Sequence, residues 1–538
     1  MMPKPATFIG CVLTLLLAVT NDGPAQDTGK ETKLELKVRE RKETADGSGR
    51  YHALQRQESW SPTNSAVVVC DMWDLHHCLN ATLRGGELAP RMNQVINKAR
   101  KLGFTIIHAP SSCIEPYKNH PARKRVLSTP RSKNLPKDID AWCSRIPEEN
   151  AGKYPIDQSD GGEDDDPEAH RKWAEELKSR GRNPRAPWKS QTDKIDIHDI
   201  DYISDNGSEI WSVMEDRKVE NVILLGVHTN MCVLGRPFGL RQMARNGKNV
   251  VLMRDMTDTM YNPAMAPFVS HFTGNDLIVE HIEKFVCPTI TSDSFLGGGT
   301  FRFKNDKRPN LLIIMAEQEY KTNQTLPTFA AKHLGHLFKV DYVHASEKER
   351  NDLPGIEAIK KADIILVSVR RRVLPPAKMK LLRDFAASGK PIVGIRTSSH
   401  AFALRKPGEE KNLADWPEFD RDIIGGNYTG HHGNGPRVAL SSRAGTKSHP
   451  ILKGVDLGKL KGCGSLYRTT PLTKSATELI RGTIEGKAPE AIAWTNKTGA
   501  GGRVFYTSLG HIDDFAQPGM NTLLRNALCW AAGLDVPE

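Results

Sequence analysis

The chain contains no Cys-x-x-Cys pair, which removes the commonest zinc-finger and dithiol redox arrangements. Nine cysteines in 538 residues are too few and too dispersed for a disulfide scaffold. No apolar run reaches the roughly 18 residues that a membrane-spanning helix needs. Aromatic residues are only 7% of the chain, and no basic helix face interleaves with them, so the net charge of +11 does not point to nucleic acid. The 75 lysines and arginines are scattered among 64 acids, the pattern of a solvated mixed-charge surface.

Against those absences stands a distinctive start. One lysine precedes an apolar run from Phe8 to Val19, and small residues follow near Ala25. This predicts a secretory signal peptide over residues 1–25 and a secreted or periplasmic protein. Cys11 lies inside the run. Of the other eight cysteines, Cys78, Cys113 and Cys143 fall in predicted loops, where an exported protein can form one disulfide. Cys70, Cys463 and Cys529 sit in apolar or Gly-rich surroundings that suit packing.

Residues 26–60 are polar and read as a linker. Strand and helix signals then alternate: strand 66–69, helix 88–102, strand 105–108, helix 208–217, strand 222–227, helix 232–246 and strand 249–253. A Gly- and charge-rich stretch, 291–308, reads as a second linker. The alternation restarts beyond it with strands 311–315, 339–343, 364–367 and 392–395, helices 326–337 and 375–387, a hairpin near residue 500 and a closing helix, 521–532. This predicts an α/β protein of two three-layer α/β/α domains, 61–290 and 309–538, each around a mostly parallel sheet. The first carries a long insertion with an acidic cluster, Asp160, Glu163, Asp164, Asp165 and Asp166. That cluster is a candidate hard-cation site or a solvated turn.

The candidate chemistry lies at strand ends. SAVVVCDMWDLHH ends a buried strand on an acid, Asp71, and NVILLGVHTNMCV ends another on Cys232. Read at a helix start, Cys232 is expected to have a lowered pKa and to be the most reactive thiol. An acid and a thiol at one sheet edge suit a cysteine hydrolase, with Asp71 as base, Cys232 as nucleophile and the Met231 and Cys232 N–H groups as oxyanion hole. Asp74 and His76 are candidate ligands for a divalent, zinc-like metal, or line a polar pocket. His108 and His228 are further pocket candidates.

The VVVCDM strand end, the GVHTNMCV elbow and the later VVLMRD strand resemble the isochorismatase-like cysteine hydrolases, which include nicotinamidases. The resemblance implies a lysine completing a triad with Asp71 and Cys232. Lys194 is the candidate and Lys189 a second, with Arg236 as an alternative cation beside the substrate. It also implies a cis Val227–His228 peptide and a non-peptide C–N bond of a small molecule as substrate. KPIVGIRTSSHAF, GGNYTGHHGNG and GGRVFYTSLGHIDDF resemble the ThuA-like trehalose-utilisation domains, which share the glutamine-amidotransferase fold. No cysteine occupies the turn after PIVGI, which excludes glutaminase chemistry. Arg396, Ser399, His400, His431, His432 and His511 form a candidate pocket for a sugar or anion. A homo-oligomer is compatible with this reading. The alternative is a secreted carbohydrate-binding or carbohydrate-processing protein whose first domain is inactive.

Overall fold

The computed structural model describes residues 1, 33–406, 412–433 and 437–537. The expected signal peptide, Met1 apart, lies outside them. Among the described residues no helix is long and apolar enough to cross a membrane. The two predicted α/β domains are present, each a sheet flanked by helices.

In the first sheet, strand Ser65–Cys70 pairs in parallel with Thr105–Ala109 on one side and Asn221–Val227 on the other. The chain therefore leaves the central strand in both directions. A crevice opens at the carboxyl ends where the two routes diverge, the usual ligand position in open α/β sheets. Asp71 and the segment after Val227 meet there because Cys70 stands opposite Gly226. Gly226 has φ 117°, and a Cβ on it would lie 2.0 Å from the Cys70 carbonyl oxygen, so only glycine permits this approach. Both faces of the sheet are apolar. Val67 and Val69 pack beneath helix Leu79–Leu102, while Val68 and Leu224 pack on the opposite side.

The second sheet runs in parallel through Lys339–His344, Asn310–Ala316, Ile364–Val369, Ile392–Ile395 and Arg503–Thr507. From there it continues antiparallel through Glu490–Lys497, Thr477–Thr483 and Val438–Ser442. The predicted hairpin near residue 500 is the join between the two halves.

The described residues of both predicted linkers, 33–60 and 291–308, are instead structured. Leu34–Glu43 and Tyr51–Trp60 form a fully registered antiparallel hairpin, and Arg39 pairs with Thr289 at the edge of the first sheet. The strand alternates: Leu36 and Val38 point into the core while charged neighbours face out, so its polarity hides a period of two. In residues 291–308, Phe301 and Phe303 pack into the first domain, and Arg308 is buried against Asp276 and Asp306. The domains also touch directly. Ser270 N–H donates to the Gly335 carbonyl, Lys339 pairs with Asp276, and Arg50 of the hairpin pairs with Glu347.

In the second domain the helix expected over 326–337 covers Thr322–His333, and two helices of the first domain depart further from expectation. The first begins at Leu79, nine residues early, because Asp165 of the insertion accepts from Leu79 N and Asn80 N (2.7 and 2.8 Å) and caps it from a distance. The helix expected over 232–246 is broken. A wide turn covers Thr229–Val233 and a short helix covers Leu240–Arg245. Pro237 lacks the N–H that a continuous helix would need.

Candidate active site

Asp71 is the hub of the first site. It is fully buried and left-handed, with φ 46°. Its Oδ1 accepts from Ser111 N (2.7 Å) and its Oδ2 from Arg236 Nε (3.1 Å). The Cys232 thiol lies close enough to the same carboxylate for the two to influence each other's charge. Burial raises the Asp71 pKa against the pull of Arg236. Burial and the neighbouring Asp71 also push the Cys232 thiol well above its ordinary value. That reverses the lowering expected from a helix start. The thiol lies in an irregular turn, 8% exposed, and faces a carboxylate, so it holds its proton until a partner takes it.

The elbow carries the expected cis peptide at Val227–His228. The expected oxyanion pair is altered, because Met231 N–H already donates to the His228 carbonyl (3.0 Å). The expected lysines are elsewhere. Lys194 Nζ donates to the Gly86 carbonyl (3.1 Å) and Lys189 Nζ to the Gly181 carbonyl (3.4 Å), both on the surface. Arg236 is the cation at Asp71. Among the described residues its one side-chain hydrogen bond runs from Nε, which leaves both Nη atoms for a ligand. Its guanidinium also lies over the Trp142 ring (5.6 Å).

Asp74 and His76 do not converge as a metal pair. Asp74 binds Arg182 (2.8 Å) and the Lys189 backbone N–H. The His76 ring stacks on Trp73 and Trp188, and its Nδ1 accepts from Cys78 N. His108 is no pocket residue, because both ring nitrogens are occupied, by Gln191 and Asp201 (3.1 Å each). His228 is buried edge-on to His76, and burial lowers its pKa to about 4. The acidic cluster is structural. Asp165 caps one helix and Asp166 another, Asp164 pairs with Arg84, Asp160 accepts from Asn262, and Glu163 pairs with His77. Cys78 lies beside Asp164 and Asp165 (3.5 and 3.3 Å), the one compact donor group among the described residues. Those carboxylates already serve the cap and Arg84. Cys78, Cys113 and Cys143 are free thiols, so the expected disulfide is absent.

A cavity of about 320 Å³ opens beside the elbow, lined by Trp142, Tyr154, Gln158, Asn230 and Met231 among others. Most of that wall comes from the insertion. The sequence reading missed Trp142, and Gly235 was its signal: a Cβ there would lie 2.4 Å from the Trp142 ring. It also missed Ser111, which a strand-end position two residues after Ala109 can explain but not single out.

In the second domain, Arg396 follows strand Ile392–Ile395 with φ 47°. Its Nη1 donates to the Ser465 and Ser508 carbonyls (3.1 and 2.7 Å), and its Nη2 donates to Tyr320 Oη (3.3 Å). The guanidinium lies 4.1 Å from the Tyr467 ring centre and 4.6 Å from that of Tyr320. Ser399 Oγ lies 3.2 Å from His400 Nδ1, and the His400 ring stacks on Tyr428 (4.3 Å). Burial and the positive charges of Arg371 and Arg370 lower the His400 pKa to about 2. His511 packs against Tyr320, and exposed His431 faces Tyr467. His432 does not present its ring freely: Nε2 is buried without a hydrogen-bond partner. The structure thus gathers Arg396, His400, His431 and His511 around a tyrosine wall that the sequence motifs did not disclose.

The class so defined is a two-domain α/β protein with a thiol–carboxylate–guanidinium cluster in the first domain and an Arg–Tyr–His cluster in the second. Residues 310–531 match the family model described as trehalose utilisation, ThuA. A ThuA-like protein of Parabacteroides merdae is a similar solved structure (18% identity, 43% of this chain and 93% of that one, TM-score 0.31). So are a cysteine hydrolase of Pseudomonas syringae (13%, 43% and 91%, 0.26) and an isochorismatase-family protein of Burkholderia thailandensis (13%, 44% and 94%, 0.24). The ThuA resemblance read from the motifs reappears in the family-model match. No curated protein matches the chain.

Proposed function

We propose that the protein is an exported cysteine hydrolase that cleaves a non-peptide C–N bond of a small molecule, with a second domain that binds a sugar or anion. The observation that carries this reading is the convergence of Cys232 and Arg236 on the buried Asp71 carboxylate. Asp71 takes the thiol proton as sulfur attacks the carbonyl carbon. The Arg236 Nη atoms stabilise the oxyanion, in the role assigned from sequence to the Met231 and Cys232 N–H groups. Collapse breaks the C–N bond, and the leaving amine takes the proton from Asp71. Water then attacks the thioester and passes a proton to Asp71; collapse breaks the C–S bond, releases the acid and returns the Asp71 proton to the Cys232 sulfur. No resident metal enters this scheme. The test is to mix the protein with a panel of small primary amides, quench in acid and search for an acyl mass on Cys232. An adduct that Cys232→Ala lacks supports the reading.

A second reading is a carbohydrate-binding or carbohydrate-processing protein with an inactive first domain. The raised pKa and burial of Cys232 favour it. It leads if every amide leaves Cys232 unmodified, iodoacetamide spares that thiol, and a sugar perturbs the tyrosine fluorescence of the second domain.

A further inference from the structure

A cavity of about 210 Å³ lies between the two domains, on a different wall from the elbow cavity and sharing no residue with it. It has room for several waters or a small ion. Its lining includes ten charged residues, four of them aspartates, and most charges pair off. Arg39 binds Glu283 (2.7 Å), while Arg308 and Lys339 bind Asp276 (2.9 and 2.8 Å). The Asp255 carboxylate accepts from Ser292 N, Ser292 Oγ and Phe301 N.

Two cations remain over. Half-buried Arg254 makes one side-chain hydrogen bond, to Thr289 Oγ1 (2.9 Å), and no carboxylate of the described residues lies within ion-pair distance. Lys361, at the cavity mouth on the second domain, likewise has no carboxylate partner among them. We infer that this cleft is a binding site for a small oxyanion, a phosphate, sulfate or carboxylate, gripped by Arg254 from the first domain and Lys361 from the second. Burial and then the charge on Arg39 lower the pKa of Arg254 to about 10, although Glu283, Asp255 and Asp341 pull it back up. Burial and then Arg254 lower that of Lys361. Such mutual repulsion in a cleft is relieved by an anion. Arg254 suits the role because its planar fork can take two oxygens at once. The ligand would bridge the domains, and so would stabilise them together.

The inference is independent of any reaction at Cys232. The experiment uses the full chain and two probes, inorganic phosphate and a simple phosphate monoester, against sodium chloride of matched ionic strength. Phosphate is expected to raise the melting temperature beyond the chloride control in proportion to ligand occupancy. Arg254→Gln and Lys361→Gln are each expected to weaken phosphate binding at least threefold by calorimetry, and together at least tenfold. Tighter binding of the ester than of phosphate assigns the site to a metabolite's anionic group, and equal binding assigns it to the free ion. Lys361 is on the surface, so its variant remains informative if Arg254→Gln fails to fold. No shift in the wild type overturns the inference, as does an unchanged affinity in Lys361→Gln.

Discussion

The two domains each put an ionisable residue in left-handed backbone just past a central parallel strand, and they handle its charge in opposite ways. Asp71 has φ 46° and Arg396 has φ 47°. Each conformation costs on the order of 1–2 kcal/mol for a non-glycine residue. Asp71 meets a cation and a thiol, so a proton has two places to be. Arg396 meets backbone carbonyls and tyrosine faces and no carboxylate among the described residues. Nearby His400 is too weak a base to move protons near neutrality. The first arrangement is suited to chemistry and the second to holding a ligand. A shared topology thus gives two sites of different capability, decided by what surrounds one strand-end residue.

The largest expected effect breaks that contrast if it fails. Asp71→Asn keeps the shape of the side chain and removes its basicity. Acylation of Cys232 is expected to fall about a thousandfold, within the range of general-base contributions, measured as the initial rate of thioester formation. A wild-type rate would reduce the first domain to a binding domain like the second.

The next effect is on stability. Arg396→Ala removes bonds to two carbonyls and a tyrosine hydroxyl and leaves a hole between two rings. A loss of about 3–5 kcal/mol in denaturant unfolding is expected. Arg236→Ala is expected to cost about 1–2 kcal/mol, because its side chain is 26% exposed and Asp71 can protonate in response. The reverse order would mean that Asp71 and Arg236 are the structural pair and Arg396 the mobile one.

Titration sharpens the comparison further. Burial alone would lower the pKa of His271 in the first domain, but Asp258 and Asp164 hold it up at about 9. A raised folded-state pKa stabilises fully below about 6.5 and is lost as pH rises through 9, a loss of up to about 3 kcal/mol. His400 is depressed to about 2, so its contribution is full above about 6.5 and falls as pH drops. Unfolding free energies at pH 5, 7 and 9 are expected to lose their alkaline decline in His271→Gln and part of their acid decline in His400→Asn. Each variant must be compared with wild type. Burial raises the pKa of Asp420 to about 7, so that group loses stability as pH rises from about 4 to 7, opposite to His400. Matching slopes in the two variants would show that the domains do not differ in this way.

The pattern of what could be read in the residues follows from range. Buried strands such as VVVCD and NVILLGV announce themselves by apolar runs, and their ends located Asp71 and Cys232. The charged hairpin did not, because Leu36 and Val38 alternate with lysines, arginines and glutamates. The cap on Leu79 did not either, because its acceptor is 86 residues away. The tyrosine wall around Arg396 draws Tyr320 and Tyr428 from two loops and Tyr467 from a short strand, and no local period marks such a gathering. The cation at Asp71 needed the break at Pro237, which turns the chain so that Arg236 points back to the carboxylate.

The smallest expected effect concerns Lys194, the lysine that the family resemblance implies. Its ammonium donates to the Gly86 carbonyl on the surface, and nothing in the fold carries it to the elbow. An exposed lysine with one carbonyl partner contributes within about 0.5 kcal/mol. Lys194→Ala is therefore expected to acylate and unfold like the wild type, and Lys189→Ala likewise. Arg236→Lys is the informative companion. It keeps a positive charge beside Asp71 but has no second nitrogen for the oxyanion, so acylation should fall while the carboxylate stays paired. If Lys194→Ala is dead and Arg236→Lys is fully active, the insertion must rearrange to deliver the lysine. The first site would then be assembled by motion, whereas the second is already fixed by its tyrosines.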